Sequence, residues 1–429
     1  MKRNWIKILI AIFFSFFFSN QAIAELKCTF DCPTCEHNSE NKMIIFGKQG
    51  FEVTVSGDAG DNPDTGEKTI ILKMGEYEKQ VIIADGMTKG YLSDFDTLEA
   101  SKKQDGAYSI TCEVYKVKLT SIDSYYDIAL EDGYGNDVPD TIWKSDGSVN
   151  EPIADVKSDR TRIWATLETS PADFRPAVKY HWYILDSGTV VKEDSGETIA
   201  ETDSNVKIWV DSYEKMGKYQ LKLKFSFYKD DTYNNLLEEV ETTHVYYLTY
   251  AIPQAPMAKP WKEVIDKATE WAHGDETELE IATDMRNHIY YMPNRYYTPL
   301  DTHTSVDPIT FTSIFRLRQF LSDDWIDCKD GANYYTVLNK SIGLDAEGMI
   351  IMGPFHTNPI IALGQSQGQI WWNHHMVGWY NNVFDPVLKF PNLHPINMTK
   401  DEYKDNLLDS TVSHNNFDYK TPHSCSISP

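Results

Sequence analysis

Long apolar runs are almost absent from this chain. Residues 8–18 form the one stretch of note, and nothing after it approaches the roughly 20 residues that a membrane-spanning helix needs. Basic residues are scarce as well: 40 Lys and Arg stand against 64 Asp and Glu, for a formal net charge of −24. That balance excludes nucleic acid and anionic membrane surfaces as partners, because either would need clustered Lys and Arg. Cysteine is sparse at six residues, and the chain holds a single C-x-x-C, Cys32-Pro33-Thr34-Cys35. No second pair, no suitably spaced His pair and no βαβ pattern accompanies it, so a zinc site and a thioredoxin-like site are both disfavoured. A staple tying the N-terminus to the strand carrying Cys112 is the expected use. No internal repeat is visible.

What the N-terminus does have is the pattern of an export signal. Lys2, Arg3 and Lys7 precede the apolar run, and Ala22-Ile23-Ala24 supplies a small-x-small cleavage site. Lys27 before Cys28 does not suit lipoprotein cleavage. The expectation is a signal over 1–24 and a mature protein that is secreted, periplasmic or at the cell surface, with no membrane insertion after cleavage.

Residues 25 to about 250 read as β-structure. Phe51-Glu52-Val53-Thr54-Val55 and the run from Tyr219 to Phe227 alternate apolar and polar residues, the period of a strand with one buried face. Turn clusters such as 57–66 and 133–140 separate these strands. Two all-β domains are expected, at 25–115 and 116–250, the second resembling an immunoglobulin-like or PKD-like sandwich. Trp182 would sit on a central strand, and Tyr219 would serve as a tyrosine corner. Asp58, Asp61, Asp64 and Glu67 have the oxygen ligands of a calcium loop but not the spacing of an EF-hand, so they read as an acidic turn and no metal site is expected.

Residues 251–260 hold three prolines and read as a linker. Beyond it the period becomes helical. Trp261, Val264, Ile265, Ala268 and Trp271 share one face, with Gly274 just past the end. Further helices are expected at about 276–291 and 313–321. A fourth carries Ala332, Tyr335, Leu338 and Ile342 as its stripe, and Gly343 as its cap. Cys328 then falls in the first turn, where amide N–H groups and the helix dipole favour thiolate over thiol. Residues 347–353 and 371–384 read as strands.

The run Cys328-x-Asp330-x-Ala332, then Leu338, then Ile342-Gly343-Leu344, a strand, a His-bearing strand and Asp385-Pro386 resembles the transglutaminase-like, papain-related superfamily over about 262–390. The resemblance implies an α+β transglutaminase-like catalytic domain over 261–429. It implies Cys328 as nucleophile, a His of Asn373-His374-His375-Met376-Val377 as general base, and Asp385 as the residue that orients it. Pairing Val377 with Asp385 across a three-residue loop puts His375 on the face of Asp385, and His375 is therefore expected as the base. A two-residue turn at Asn381-Asn382 would place His375 on the opposite face and leave His374 as the alternative. An oxyanion donor is expected beside the Cys328 N–H, with Gln319, Ser322 and Trp325 upstream and nothing to choose among them. Trp371, Trp372 and Trp379 are either cleft or core.

The function expected is an exported cysteine acyl-transfer enzyme acting on amide bonds of a protein or peptide, by hydrolysis or transamidation, with no metal or organic cofactor. The reading from another class is a non-catalytic binding protein whose Cys328 is bridged to Cys425.

Overall fold

A computed structural model describes residues 25–31, 42–45, 51–56, 68–74, 77–83, 87–92, 97–102 and 109–114 as backbone strands. It describes residues 116–125, 128–170, 172–233, 236–293, 295–298, 302–306, 313–367, 370–379, 382–412, 418–423 and 425–428 as well. The expected signal at 1–24, the Cys32–Cys35 pair and the acidic turn at 58–67 lie outside the described residues. The first eight strands join in one antiparallel sheet, in which Cys28 lies opposite Cys112.

Residues 116–249 form two sheets packed face to face. Four strands (Thr141–Lys144, Lys116–Tyr125, Arg160–Ser170, Asn205–Asp211) make one sheet. Five (Ile153–Val156, Leu236–Thr249, Gly217–Tyr228, Ala177–Asp186, Thr189–Ile199) make the other. Alternation is the cause: in Gly217–Tyr228 the buried residues Tyr219, Leu221, Leu223, Phe225 and Phe227 are spaced by two. They meet Ile163, Val206, Ile208 and the buried Trp182 in a single core. The Tyr219 hydroxyl donates to the Met216 carbonyl at 3.2 Å, three residues back along the chain.

The expected fold class, with an α+β papain-like domain over 261–429, is overturned, because the chain as a whole is 48% strand and 18% helix, with small sheets and few helices. Among the described residues of this part, thirteen strands in sheets of two, three, five and three accompany five helices. These are α1 (Lys262–Trp271), α2 (Glu278–Tyr290), α3 (Leu317–Ser322), α4 (Cys328–Ser341) and α5 (Lys400–Leu407). The physical reason is visible at the expected third helix. Residues Ser313–Arg316 alternate buried and exposed side chains and pair as a strand, so only the six residues of α3 remain helical.

Local signals place the remaining helices. Thr277 caps α2 with a reciprocal Glu280 contact, and Gly274 ends the turn after α1 at φ +88°. Gly343 closes α4 at the same φ, where a Cβ would lie 2.5 Å from the Ala251 carbonyl carbon. The proline-bearing segment 251–260 is tied down rather than free, since Ala251 N–H donates to Ile342 O at 3.0 Å and Gln254 N–H to Lys340 O at 2.9 Å. Met216 of the sandwich joins the C-terminal core, and Ile265 of α1 packs with Leu130, Ala154 and Tyr247. No helix among the described residues is long and apolar enough to cross a membrane.

Candidate active site

Helix α4 begins at Cys328 because Asp327 caps it. The Asp327 backbone is extended, and its carboxylate accepts the Asp330 N–H at 2.8 Å. Cys328 is a free thiol, 6% exposed, at the positive end of a helix of 14 residues. One turn on stands Gly331. A Cβ there would lie 2.3 Å from Val387 Cγ1, so the missing side chain is what lets the segment after Asp385 rest on the first turn of α4.

That segment is delivered by the central strands of the five-stranded sheet. Strand Ile370–Trp379 runs antiparallel to Glu347–His356, with His374 opposite Ile351 and His375 opposite Ile350. Adjacent strand residues face opposite ways, so only one of the two histidines can face α4. Val377 pairs with Phe384, one residue short of the expected partner Asp385. The slip moves Asp385 into line with the residue before Val377, on the face of His374. His374 Nε2 lies 2.6 Å from Asp385 Oδ2, both side chains fully buried. The expectation for His375 is thereby corrected: it is buried on the other face, and His374 is the histidine brought to Asp385.

Asp385 holds the His374 ring through Nε2, while Nδ1 is buried without a hydrogen-bond partner and Cys328 lies close enough to act on the ring's charge. Burial by itself would lower the His374 pKa. The charge of Asp385, its hydrogen bond and the Cys328 sulfur outweigh burial and push it up to about 10.

Asp385 is saturated with donors. The Tyr403 hydroxyl donates to Oδ2 at 2.5 Å, and the Val387 and Leu388 N–H groups donate to Oδ1 at 3.0 and 2.9 Å. Burial pushes this carboxyl upward, but His374 and these donors hold it below its ordinary value. Arg286 of α2, fully buried, then fixes the backbone that carries Asp385. Its Nε donates to the Asp385 carbonyl at 2.7 Å and its Nη2 to the Leu388 carbonyl. Nη1 reaches His394 Nδ1 at 2.6 Å.

Tyr297 completes the surroundings of the sulfur. Its strand, Tyr296–Tyr297, lies parallel to Trp325–Ile326, the two residues that precede Asp327. The Tyr297 phenol is buried beside Cys328, and burial first, then the charge of Cys328, raises its pKa. Trp371 packs against the Tyr297 ring at 6.0 Å and stands edge-on to His374 at 5.3 Å, which makes it a wall of the site. Trp379 instead packs on Phe384 in the core, and the Trp372 side chain lies outside the described residues.

The upstream oxyanion candidates are not brought to the sulfur. Gln319 and Ser322 are exposed, and Ser322 Oγ donates to the Gln319 carbonyl. Trp325 stacks on His303 at 3.9 Å. Asp330 is structural: its carboxylate accepts the His303 N–H and the Thr304 hydroxyl and faces His303 Nδ1.

Arg286, Tyr297 and Tyr403 were not singled out from the sequence. For Arg286 a signal exists, since it sits on the apolar stripe of Ile281, Ala282, Met285 and Ile289, where a cation is misplaced unless it is bound. For the two tyrosines no local pattern marks them among 25.

No family model matches the sequence, and no curated protein matches it. Among solved structures, a DUF3823 family protein from Bacteroides ovatus is similar over 46% of this chain and 92% of its own, at 8% identity and a TM-score of 0.16. One from Parabacteroides merdae covers 42% and 86%, at 9% identity and a TM-score of 0.14. A Bacteroides uniformis β-glucuronidase covers 58% of this chain and 33% of its own, at 8% identity and a TM-score of 0.18. Likenesses this slight carry no argument about fold or chemistry.

Proposed function

We propose that this chain is an exported cysteine-dependent acyl-transfer enzyme that acts on amide bonds of proteins or peptides, with hydrolysis as its main reaction. The observation that supports this reading is the buried His374–Asp385 pair, 2.6 Å apart, beside the free thiol of Cys328 at a helix start. A helix start and the Asp385 carboxylate favour the thiolate–imidazolium pair that such chemistry needs, against the cost of burial.

The steps follow from the groups. The Cys328 thiolate attacks the amide carbon, and the carbonyl π pair moves to oxygen. When the C–N bond breaks, the proton on His374 Nδ1 passes to the departing amine and a thioester remains. Water then attacks: its proton goes to Nδ1, its hydroxyl to the acyl carbon, and the C–S bond breaks to restore the thiolate. Transamidation uses the same groups with an amine in place of water. Asp385 keeps the ring in one orientation and stabilises its charge throughout.

A binding protein with Cys328 locked in a disulfide gains no support from the free thiol at that position. Export rests on the signal pattern of residues 1–24. The test is iodoacetamide labelling of the non-reduced protein across pH, read at Cys328 by mass spectrometry. Rapid labelling below about pH 7, well under the roughly 8.5 of a free thiol, is the expected result. Labelling that follows an ordinary thiol, unchanged by His374→Gln, would sink the proposal.

A further inference from the structure

We infer that His303 is a positioning residue of this site: its ring cancels the charge of Asp330 beside Cys328 and so lets the sulfur hold a negative charge of its own. The inference rests on the acyl-transfer reading and names a group that sustains its thiolate.

The first turn of α4 sets the problem. Cys328 stands between two buried carboxylates, Asp327 just before it and Asp330 two residues on. Each opposes a thiolate by like charge, at short range and away from water. The strength of that repulsion shows at Asp327, whose carboxyl is pushed up to about 6 by burial first and then by the charge of Asp330. Asp327 has a cation of its own, Lys329 Nζ at 3.5 Å. Asp330 has His303 as its one ion-pair partner among the described residues.

The geometry around His303 supplies the opposite charge. The ring is fully buried, with Nδ1 2.9 Å from Asp330 Oδ2 and Nε2 2.8 Å from Asp323 Oδ2. A carboxylate oxygen accepts and does not donate, so a ring set between two of them carries a proton on each nitrogen and is the imidazolium. Trp325 stacks on it at 3.9 Å and Phe320 meets it edge-on at 5.6 Å, and the indole face favours a cation. Its backbone is pinned as well: His303 N–H donates to Asp330 Oδ1 at 3.0 Å, and Arg316 N–H to the His303 carbonyl at 2.9 Å. Of the two carboxylates, Asp323 is 32% exposed and is screened by water, whereas Asp330 is wholly buried and takes the full benefit of the ring. Arg295, the other cation of this neighbourhood, lies over the Phe320 ring at 4.5 Å and directs its N–H groups to the Phe320 and Trp325 carbonyls.

A charge cycle separates this role from a structural one, read as the rate of iodoacetamide labelling of Cys328 at pH 6. His303→Gln keeps a donor but carries no charge, and labelling should slow on the order of tenfold, the loss of thiolate that follows when a thiol pKa rises by about one. Asp330→Asn in the same chain removes the charge left uncovered. The double variant should label within about threefold of wild type, a rescue that lost packing would not show. It also buries no unpaired charge, so it serves alone should the single variant not fold. A His303→Gln chain that labels as fast as wild type, or a double variant that stays about tenfold slow, would each overturn the assignment and leave the acyl-transfer reading standing. A wild-type Cys328 that alkylates only as an ordinary thiol would remove both.

Discussion

Arg286 donates through Nε to the main-chain oxygen of Asp385 at 2.7 Å, so a helix remote in sequence fixes where the carboxylate of the site can stand. The same guanidinium takes the Leu388 carbonyl, and its fork closes the turn that Val387 and Leu388 wrap around the Asp385 side chain. Arg286→Met leaves two buried carbonyls unpaired. A destabilisation of about 2–4 kcal/mol is expected, measured by urea unfolding, with loss of rapid Cys328 labelling at pH 6. Arg286→Lys should not rescue it, because one ammonium cannot reproduce the planar fork. A Lys variant with full labelling would show that the clamp does not position Asp385.

The two neighbouring histidines make opposite predictions. His374→Gln should abolish the acid-side reactivity of Cys328, slowing labelling at pH 6 by on the order of 10²-fold. His375→Gln, on the far face of the same strand, should leave the pH profile in place. Iodoacetamide rates for both variants, taken from pH 5 to 9, decide between them. The reverse result would assign the base to His375.

Stability should depend on pH through His374. Its folded pKa, pushed up to about 10, exceeds the ordinary value of 6.5. Such a group contributes fully below the unfolded pKa, and its contribution drains away as pH rises through the folded one. The difference in unfolding free energy between wild type and His374→Gln should therefore be greatest at or below about pH 6 and shrink towards pH 10. Denaturant titrations at three pH values check this. A difference that grows with pH would mean the ring is buried neutral.

Gly331→Ala tests the contact between α4 and the segment after Asp385. The new methyl would meet Val387 Cγ1 at 2.3 Å, and Val387 is itself fully buried. Overpacking of this kind costs about 1–3 kcal/mol, and Cys328 labelling should slow in parallel as Asp385 shifts. Val387→Ala in the same chain should restore part of both, read by thermal unfolding and by labelling rate.

Much of this was legible in the sequence where the cause is local. The α4 stripe, its Gly343 stop and the position of Cys328 in its first turn all follow from side-chain period and capping, which act within a few residues. The choice between His374 and His375 was not legible. It turns on whether Val377 meets Phe384 or Asp385, a single step of register that local sequence specifies weakly. Residues 313–316 were read as helix because their apolar content fits either period in so short a run. Tyr297 and Tyr403 are brought in from 31 residues before Cys328 and 18 after Asp385, by sheet pairing and helix packing that no window of the chain contains.

Met216 reaches out of the sandwich into the core beneath the thiol, and Ile265 reaches back into Leu130, Ala154 and Tyr247. Each half thus keeps a peg in the other's socket. A chain begun at residue 261 would bare both sockets to water, so the unit that inheritance or engineering can shuffle is the sandwich and the thiol-bearing part together, not either one as a bead on a string.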